Sequence, residues 1–502
     1  MAASEDQKLS LWALIALVVG SMVGAGIFSL PATFGRATGV LGALIAWCIA
    51  GGGMLMLAFV FQNLAERKPG LDSGVFAYAQ AGFGNYIGFL SALGFWSGCC
   101  VGNVSYFVLI KSTLGAFFPV FGDGNTLTAV AVASVILWGF HFMILKGIKG
   151  ATSINTIATI AKIVPIFVFL LFVIWNFNTE TFSANILGYN IVENVKADLE
   201  HLDEYGFAGH AAEEIAAEPQ ESLVSQVRNT MLVTVFVFLG IEGASVYSRL
   251  ANNRKDVGVA TVLGFVGVLC LFIMVTLLSY GVMDRQSLAA LRQPSMAGVL
   301  EHLLGRGGAI FVSAGLIISV LGAFLSWTLL AAEVLLAAAQ SKSFPRALTR
   351  ENAARVPVAA LWVSNGLVQS FLIVTMFTTY AFTLALELTS ALSLFPYLMV
   401  AAYGLKLAKT GETYEKDASQ RSMDLTIALI ATVYSCLMLY AGGVKYILLS
   451  SLIFAPGSLF FIKARKEQGL ALFTGVERII FGVVVLAALA AAGSLATGII
   501  TI

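Results

Sequence analysis

The chain has 502 residues, 58% hydrophobic and 11% charged, with a formal net charge of +1 and a mean hydropathy of +0.88. Soluble domains carry about 25% charged residues, so the composition excludes a string of soluble domains and indicates a chain that crosses a bilayer many times. So small a net charge gives no footing for nucleic acid, and no nucleic-acid partner is expected.

A membrane span needs about 20 apolar residues. On that basis the sequence predicts thirteen spans, near 10–34, 40–64, 86–113, 127–145, 155–176, 229–249, 258–282, 308–339, 358–377, 381–405, 423–441, 443–462 and 476–499. The pair at 423–462 is the least cleanly divided. The first apolar segment begins near Leu11, is long and lacks a small-residue cleavage pattern, so no cleavable signal is expected.

The first span carries "GSMVGAGIFSLP" over residues 20–31. Glycine in a helix interior costs about 1 kcal/mol relative to alanine. Within a bilayer, an unwound backbone is tolerated only where it is buried in protein or lines a cavity. Three glycines and a serine here indicate either close helix packing or a helix opened on purpose.

Lys and Arg are distributed unevenly about these spans. With the N-terminus inside, the inner segments hold 20 of them and the outer segments 8, with Lys162 inside a span. The positive-inside rule then puts the N-terminus in the cytoplasm, and an odd number of spans puts the C-terminus outside. The outer segment 177–228 is acidic, with Glu193, Asp198, Glu200, Asp203 and Glu204 among its carboxylates. It reads as a solvated insertion, or as a weak attractor of cationic solutes over the roughly 8–10 Å that salt permits.

The sixth span contains "FVFLGIEGASVYS" from Phe236 to Ser248, where Gly240 and Gly243 bracket Glu242. Two glycine-rich interruptions five helices apart point to an inverted five-plus-five repeat. The predicted organisation is a cytoplasmic N-terminus at 1–9 and a ten-helix core at 10–405, with repeats at about 10–176 and 229–405. The acidic loop 177–228 interrupts that core, and C-terminal helices 11–13 occupy 406–502. Unwinding at Gly24–Gly26 exposes N–H groups and the positive end of a half-helix, which suit a carboxylate. Unwinding at Gly240 exposes carbonyls, which suit an ammonium. The two breaks together read as a receptor for the backbone of an amino acid.

These stretches also carry a resemblance. "LVVGSMVGAGIFSLP" (17–31), "AFVFQNLAERKPGLDSGVFAYAQAGFG" (58–84), "GNVSYFVL" (102–109), "FLGIEGASVYSRLANNRKDVG" (238–258) and "SWTLLAAEVLLAAAQSKSFP" (326–345) are similar to the amino acid–polyamine–organocation superfamily. Within it they resemble the bacterial basic amino acid/polyamine antiporters, and there the arginine–ornithine antiporters, with arginine–agmatine exchangers as close relatives. The resemblance implies an all-α integral membrane protein with a LeuT-like five-plus-five inverted repeat and broken first and sixth helices. It implies a bacterial inner membrane, exchange of arginine for ornithine by alternating access, no enzymatic activity, and no cofactor or metal. Exchange with agmatine or of lysine with cadaverine, and proton-coupled uptake of basic amino acids, remain open alternatives. Related exchangers often pair, so a homodimer is open too.

Carried onto this sequence, the carboxylate-binding turn falls on Gly24, Ala25 and Gly26. The break that receives the amino group falls on Leu239 and Gly240. The gating aromatic falls on Phe236, where the relatives have Trp. A phenyl face keeps the cation–π attraction, in a general range of about 0.5–2 kcal/mol, at less than its Trp strength. Asn103 matches a polar substrate contact in the third span, Trp327 an aromatic that stacks on the aliphatic stem, and Thr389 or Ser390 a hydroxyl in the tenth span.

Charges within spans are functional candidates. Lys162 matches a fifth-helix lysine that, in several sodium-independent exchangers of this kind, stands where sodium-coupled relatives hold Na⁺ between helices one, five and eight. The alternative is a lysine whose ammonium reaches the headgroups. Glu242 is either a structural acceptor for freed N–H groups or a titrating group that couples substrate charge to movement. Glu387 and Glu333 could meet the cationic end of the substrate, with Glu387 favoured. The five cysteines and four histidines show no metal-ligand spacing.

Overall fold

The computed structural model describes residues 10–71, 75–147, 151–188, 221–241, 254–378, 380–415 and 417–500. Among them every regular element is a helix. In chain order these are α1 (Leu11–Met22), α2 (Leu30–Ala37), α3 (Val40–Arg67), α4 (Val75–Phe83), α5 (Asn85–Phe117) and α6 (Leu127–Leu145). Then come α7 (Ala151–Trp175), α8 (Thr179–Ala184), α9 (Leu223–Val237), α10 (Arg254–Ser279), α11 (Arg285–Ala290) and α12 (Ser295–Leu304). The last six are α13 (Arg306–Gln340), α14 (Val358–Val374), α15 (Ala381–Thr410), α16 (Ala418–Ala441), α17 (Gly443–Glu467) and α18 (Gly475–Ala496).

Eleven of the described helices are long and apolar enough to cross a membrane, and twelve spans result when the bent pair α1–α2 is taken as one. The remaining expected span falls on α9. Its 15 residues reach about 22 Å, short of the roughly 30 Å hydrocarbon core, and residues 242–253 beyond it lie outside the described residues, Glu242 among them. The uncertain pair at 423–462 divides at Gly442 and Gly443, where Gly443 has a φ of +74°.

At the centre runs α5, apolar on every side, with its membrane-spanning stretch wholly buried. Helices apolar all round belong in a core. Its glycines let neighbours come close: a Cβ on Gly94 would lie 2.8 Å from the Leu392 carbonyl oxygen, and one on Gly98 would lie 2.8 Å from Ser393 Oγ. Small residues in this role are the usual device for packing helices in lipid. The partners are α13, α14 and α15, while α1, α3 and α9 pack with α10 and α15 beside them. By contrast α18 packs mainly on α17 and is almost wholly unburied by protein.

The short pair α11–α12, which the hydropathy reading passes over, clamps α2. Arg36 Nε donates to the Ala289 carbonyl at 2.8 Å, and Arg285 Nε to the Gly35 carbonyl at 2.9 Å. The Ala32 amide donates to Ser295 Oγ at 3.1 Å. A helix N-terminus holding Pro31 thus has a free amide satisfied from another element, as buried amides must be.

Candidate functional site

Between α1 and α2 the helix opens. Gly24 is extended, with φ −103° and ψ −156°, and a 3₁₀ segment Ala25–Ser29 restarts the chain. The two halves are bent by 45°. Among the described residues no backbone carbonyl takes the amides of Ala25 and Gly26. The start of a helix leaves such donors free and carries positive partial charge.

The end of α9 faces this opening. A Cβ on Gly26 would stand 2.7 Å from Val237 Cγ1 and 3.1 Å from Phe236 Cδ1, so only glycine admits this approach. Past Val237 the chain tightens into turns in which Leu239 N donates to Phe236 O and Ile241 N to Phe238 O, both at 3.2 Å. It then reaches Gly240 at φ +103°, a backbone that favours glycine. The Gly240 carbonyl accepts from Ser21 Oγ at 3.0 Å. The two breaks are therefore in direct contact.

Beside them is a cavity of about 30 Å³, space on the order of one water molecule. It brings together Gly24, Ala25, Gly26, Phe236, Leu239, Trp327 and Thr389 of the expected set. Phe236 is 8% exposed. Small-molecule pockets run to about 300–1,000 Å³, so the cavity must widen to admit a solute larger than water.

The other expected residues lie elsewhere. Gly240 turns to Ser21 instead of to the cavity. Asn103 is buried on α5 next to Gly102, donating from Nδ2 to Thr328 Oγ1 at 3.2 Å, and its Oδ1 has no hydrogen-bond partner among the described residues. Of the two hydroxyls left open, Ser390 is spent on the Leu232 carbonyl at 2.7 Å and the Leu386 carbonyl at 3.0 Å. Thr389 Oγ1 is buried without a hydrogen-bond partner among the described residues, and Thr389 lines the cavity. Lys162 is 6% exposed and donates to the Gly20 carbonyl at 3.1 Å, just ahead of the opening. Glu387 bonds to Tyr446, beside Lys445, at the head of α17 and does not line the cavity. Glu333 is on an exposed face of α13.

Of the lining residues outside the expected set, three lie on α5: Gly98, Gly102 and Tyr106. Their spacing of four puts them on one face of α5, a signal legible in "GCCVGNVSY". A Cβ on Gly102 would meet Thr389 Cγ2 at 3.4 Å, so this face brings α5 and α15 together at the cavity.

A family model described as amino acid permease matches residues 9–445. The chain belongs to the amino acid permease family. It is 51% identical to the arginine/ornithine antiporter of Pseudomonas aeruginosa, with all of both chains covered. It is 36% identical to the arginine/ornithine antiporter of Latilactobacillus sakei, covering 92% of this chain and 91% of that one. The arginine/agmatine antiporter of Chlamydia pneumoniae is also 36% identical, over 92% and 91%. This permease is thus a multi-pass membrane protein of a transporter family, not an enzyme.

Proposed function

We propose that this permease exchanges external arginine for internal ornithine across a bacterial inner membrane by alternating access. The observation that carries the reading is the opening at Gly24–Gly26, whose Ala25 and Gly26 amides no backbone carbonyl takes among the described residues, with Phe236 packed on it at the cavity. The names of the relatives at 51% and 36% identity over the chain support the choice of substrates. Both substrates carry a net charge of +1, so the swap moves no net charge and runs on the two concentration gradients.

In this reading the core is LeuT-like, with inverted repeats at about 10–176 and 229–405 and thirteen spans in all. Lys and Arg asymmetry sets the N-terminus in the cytoplasm. The Ala25 and Gly26 amides hold the carboxylate, and the helix-six turn at Leu239 receives the ammonium, with Gly240 holding that turn against Ser21. Trp327 and Thr389 meet the side chain. Phe236 is the lid. Lys162 stands in for a sodium ion by holding the Gly20 carbonyl, and Glu242 and Glu387 are the candidates for coupling. Strict exchange requires a slow return of the empty carrier, so bound substrate must make contacts in the occluded state that the open states lack.

Counterflow in reconstituted vesicles tests this. Vesicles preloaded with ornithine should take up labelled arginine far faster than empty ones. Equal rates would remove the exchange reading. Faster entry with agmatine inside than with ornithine would favour the agmatine alternative, which the Chlamydia relative's name keeps in view.

A further inference from the structure

We propose that Tyr106 sets a preference for substrates that retain their carboxylate, by donating its phenolic O–H to that group at the helix-one turn. The proposal rests on the exchange reading and adds a specificity residue to it. Tyr106 is 6% exposed and lines the cavity. Its hydroxyl is 3.7 Å from the position a Cβ on Gly24 would occupy. No described residue hydrogen-bonds this hydroxyl.

A phenol on the cavity wall that no described residue bonds is left for a group held in the cavity to complete. What arrives is decided by the neighbours. The Ala25 and Gly26 amides at this end of the cavity are donors. A third donor beside them makes a nest for an anion, and hydrogen bonds to a charged acceptor are the strong ones. Thr389 also lines the cavity, and its hydroxyl oxygen has no hydrogen-bond partner among the described residues. The donors thus gather at Tyr106 and the helix-one turn, which puts the carboxylate end there. A decarboxylated amine would leave three buried donors unpaired. Sites built to bond a substrate group reject analogues lacking it by large factors.

The test uses the full-length protein in vesicles loaded with ornithine. Inhibition of labelled arginine entry by external arginine, ornithine and agmatine is measured for the wild type and for Tyr106→Phe. The phenyl variant should weaken arginine and ornithine by about tenfold relative to agmatine. Parallel shifts of all three, or unchanged ratios, overturn the proposal. Should the phenyl variant not fold, Tyr106→Met fills similar space without the hydroxyl, and the same ratio is read. A wild type that shows no arginine-for-ornithine exchange sinks the underlying reading before any variant is made, so the two failures are distinguishable.

Discussion

The Ser21 hydroxyl donates to the Gly240 carbonyl at 3.0 Å, joining two helix breaks that are 219 residues apart in the chain. The contact is made possible by the absence of a side chain. A Cβ on Gly240 would lie 2.6 Å from the Ser21 carbonyl oxygen, at a φ of +103°. Gly240→Ala therefore adds both a steric clash and backbone strain, each on the order of 1–3 kcal/mol. Arginine counterflow should fall by tenfold or more while the protein still reaches the membrane, as judged by purified yield and a single gel-filtration peak. Normal counterflow in that variant would show that the breaks need not touch.

Lys162 supports the same region from the other side, through the Gly20 carbonyl at 3.1 Å. Hydrogen bonds from charged donors contribute about 1.5–3 kcal/mol. Lys162→Ala should slow exchange by about tenfold or more in vesicles with arginine outside and ornithine inside. Wild-type uptake and release would reduce the lysine to a packing residue.

Glu301, on α12, is 3% exposed, and neither carboxylate oxygen has a hydrogen-bond partner among the described residues. Burial raises its pKa from 4.5 to about 7, with Arg306 opposing the rise. Below pH 4.5 the group is neutral in the folded and unfolded chain alike and costs nothing. Between 4.5 and about 7 the folded chain keeps a proton that the unfolded chain has released, so stability falls as pH rises. Above about 7 the loss is complete, at about 1–3 kcal/mol once solvent screening reduces the full linkage. Glu301→Gln should flatten this slope. The apparent unfolding midpoint in detergent, compared at pH 5 and pH 8, should differ less in the variant than in the wild type.

A buried polar cluster ties α3 to α16. Asp424 lies 3.4 Å from Arg67 and accepts from Tyr414 at 2.9 Å and from Gln420 at 3.1 Å. The Arg67 guanidinium sits 3.7 Å over the Tyr414 ring. Burial, then the bond to Asp424, pushes the Tyr414 phenol up to about 12, so it remains a donor at neutral pH. Asp424→Asn removes the negative charge from a partly buried cation and should cost about 1–3 kcal/mol. The midpoint in detergent should drop while the inhibition constant for arginine stays unchanged, because none of these residues lines the cavity.

Much of the architecture is legible in the sequence, for a definite reason. Lipid forces every backbone group to be satisfied within its own helix, so apolar runs of sufficient length translate directly into spans. Residues 85–117, 306–340 and 443–467 illustrate this. Glycine where a helix former would be better marked the opening at Gly24–Gly26 and the left-handed turn at Gly240. The short helices α11 and α12 were missed because a run of 6 or 10 residues carries no spanning signal.

Which side chains meet was a different matter. Thr389 and Ser390 are adjacent and chemically alike, and sequence left them equal. The tilt of α15 against α9 gives the Ser390 hydroxyl to the Leu232 carbonyl and leaves Thr389 beside the cavity. Likewise Glu387 had the charge for a substrate contact, yet its rotation about α15 directs it to Tyr446. Tyr106 is one more aromatic of a buried helix in the sequence, and only the fold puts its hydroxyl beside Gly24. Hydropathy and backbone propensity are properties of one segment, so the sequence by itself determined the membrane class, the helices and their breaks. The lining of the cavity depends on how helices rotate and approach across hundreds of residues, so only the tertiary structure decided it.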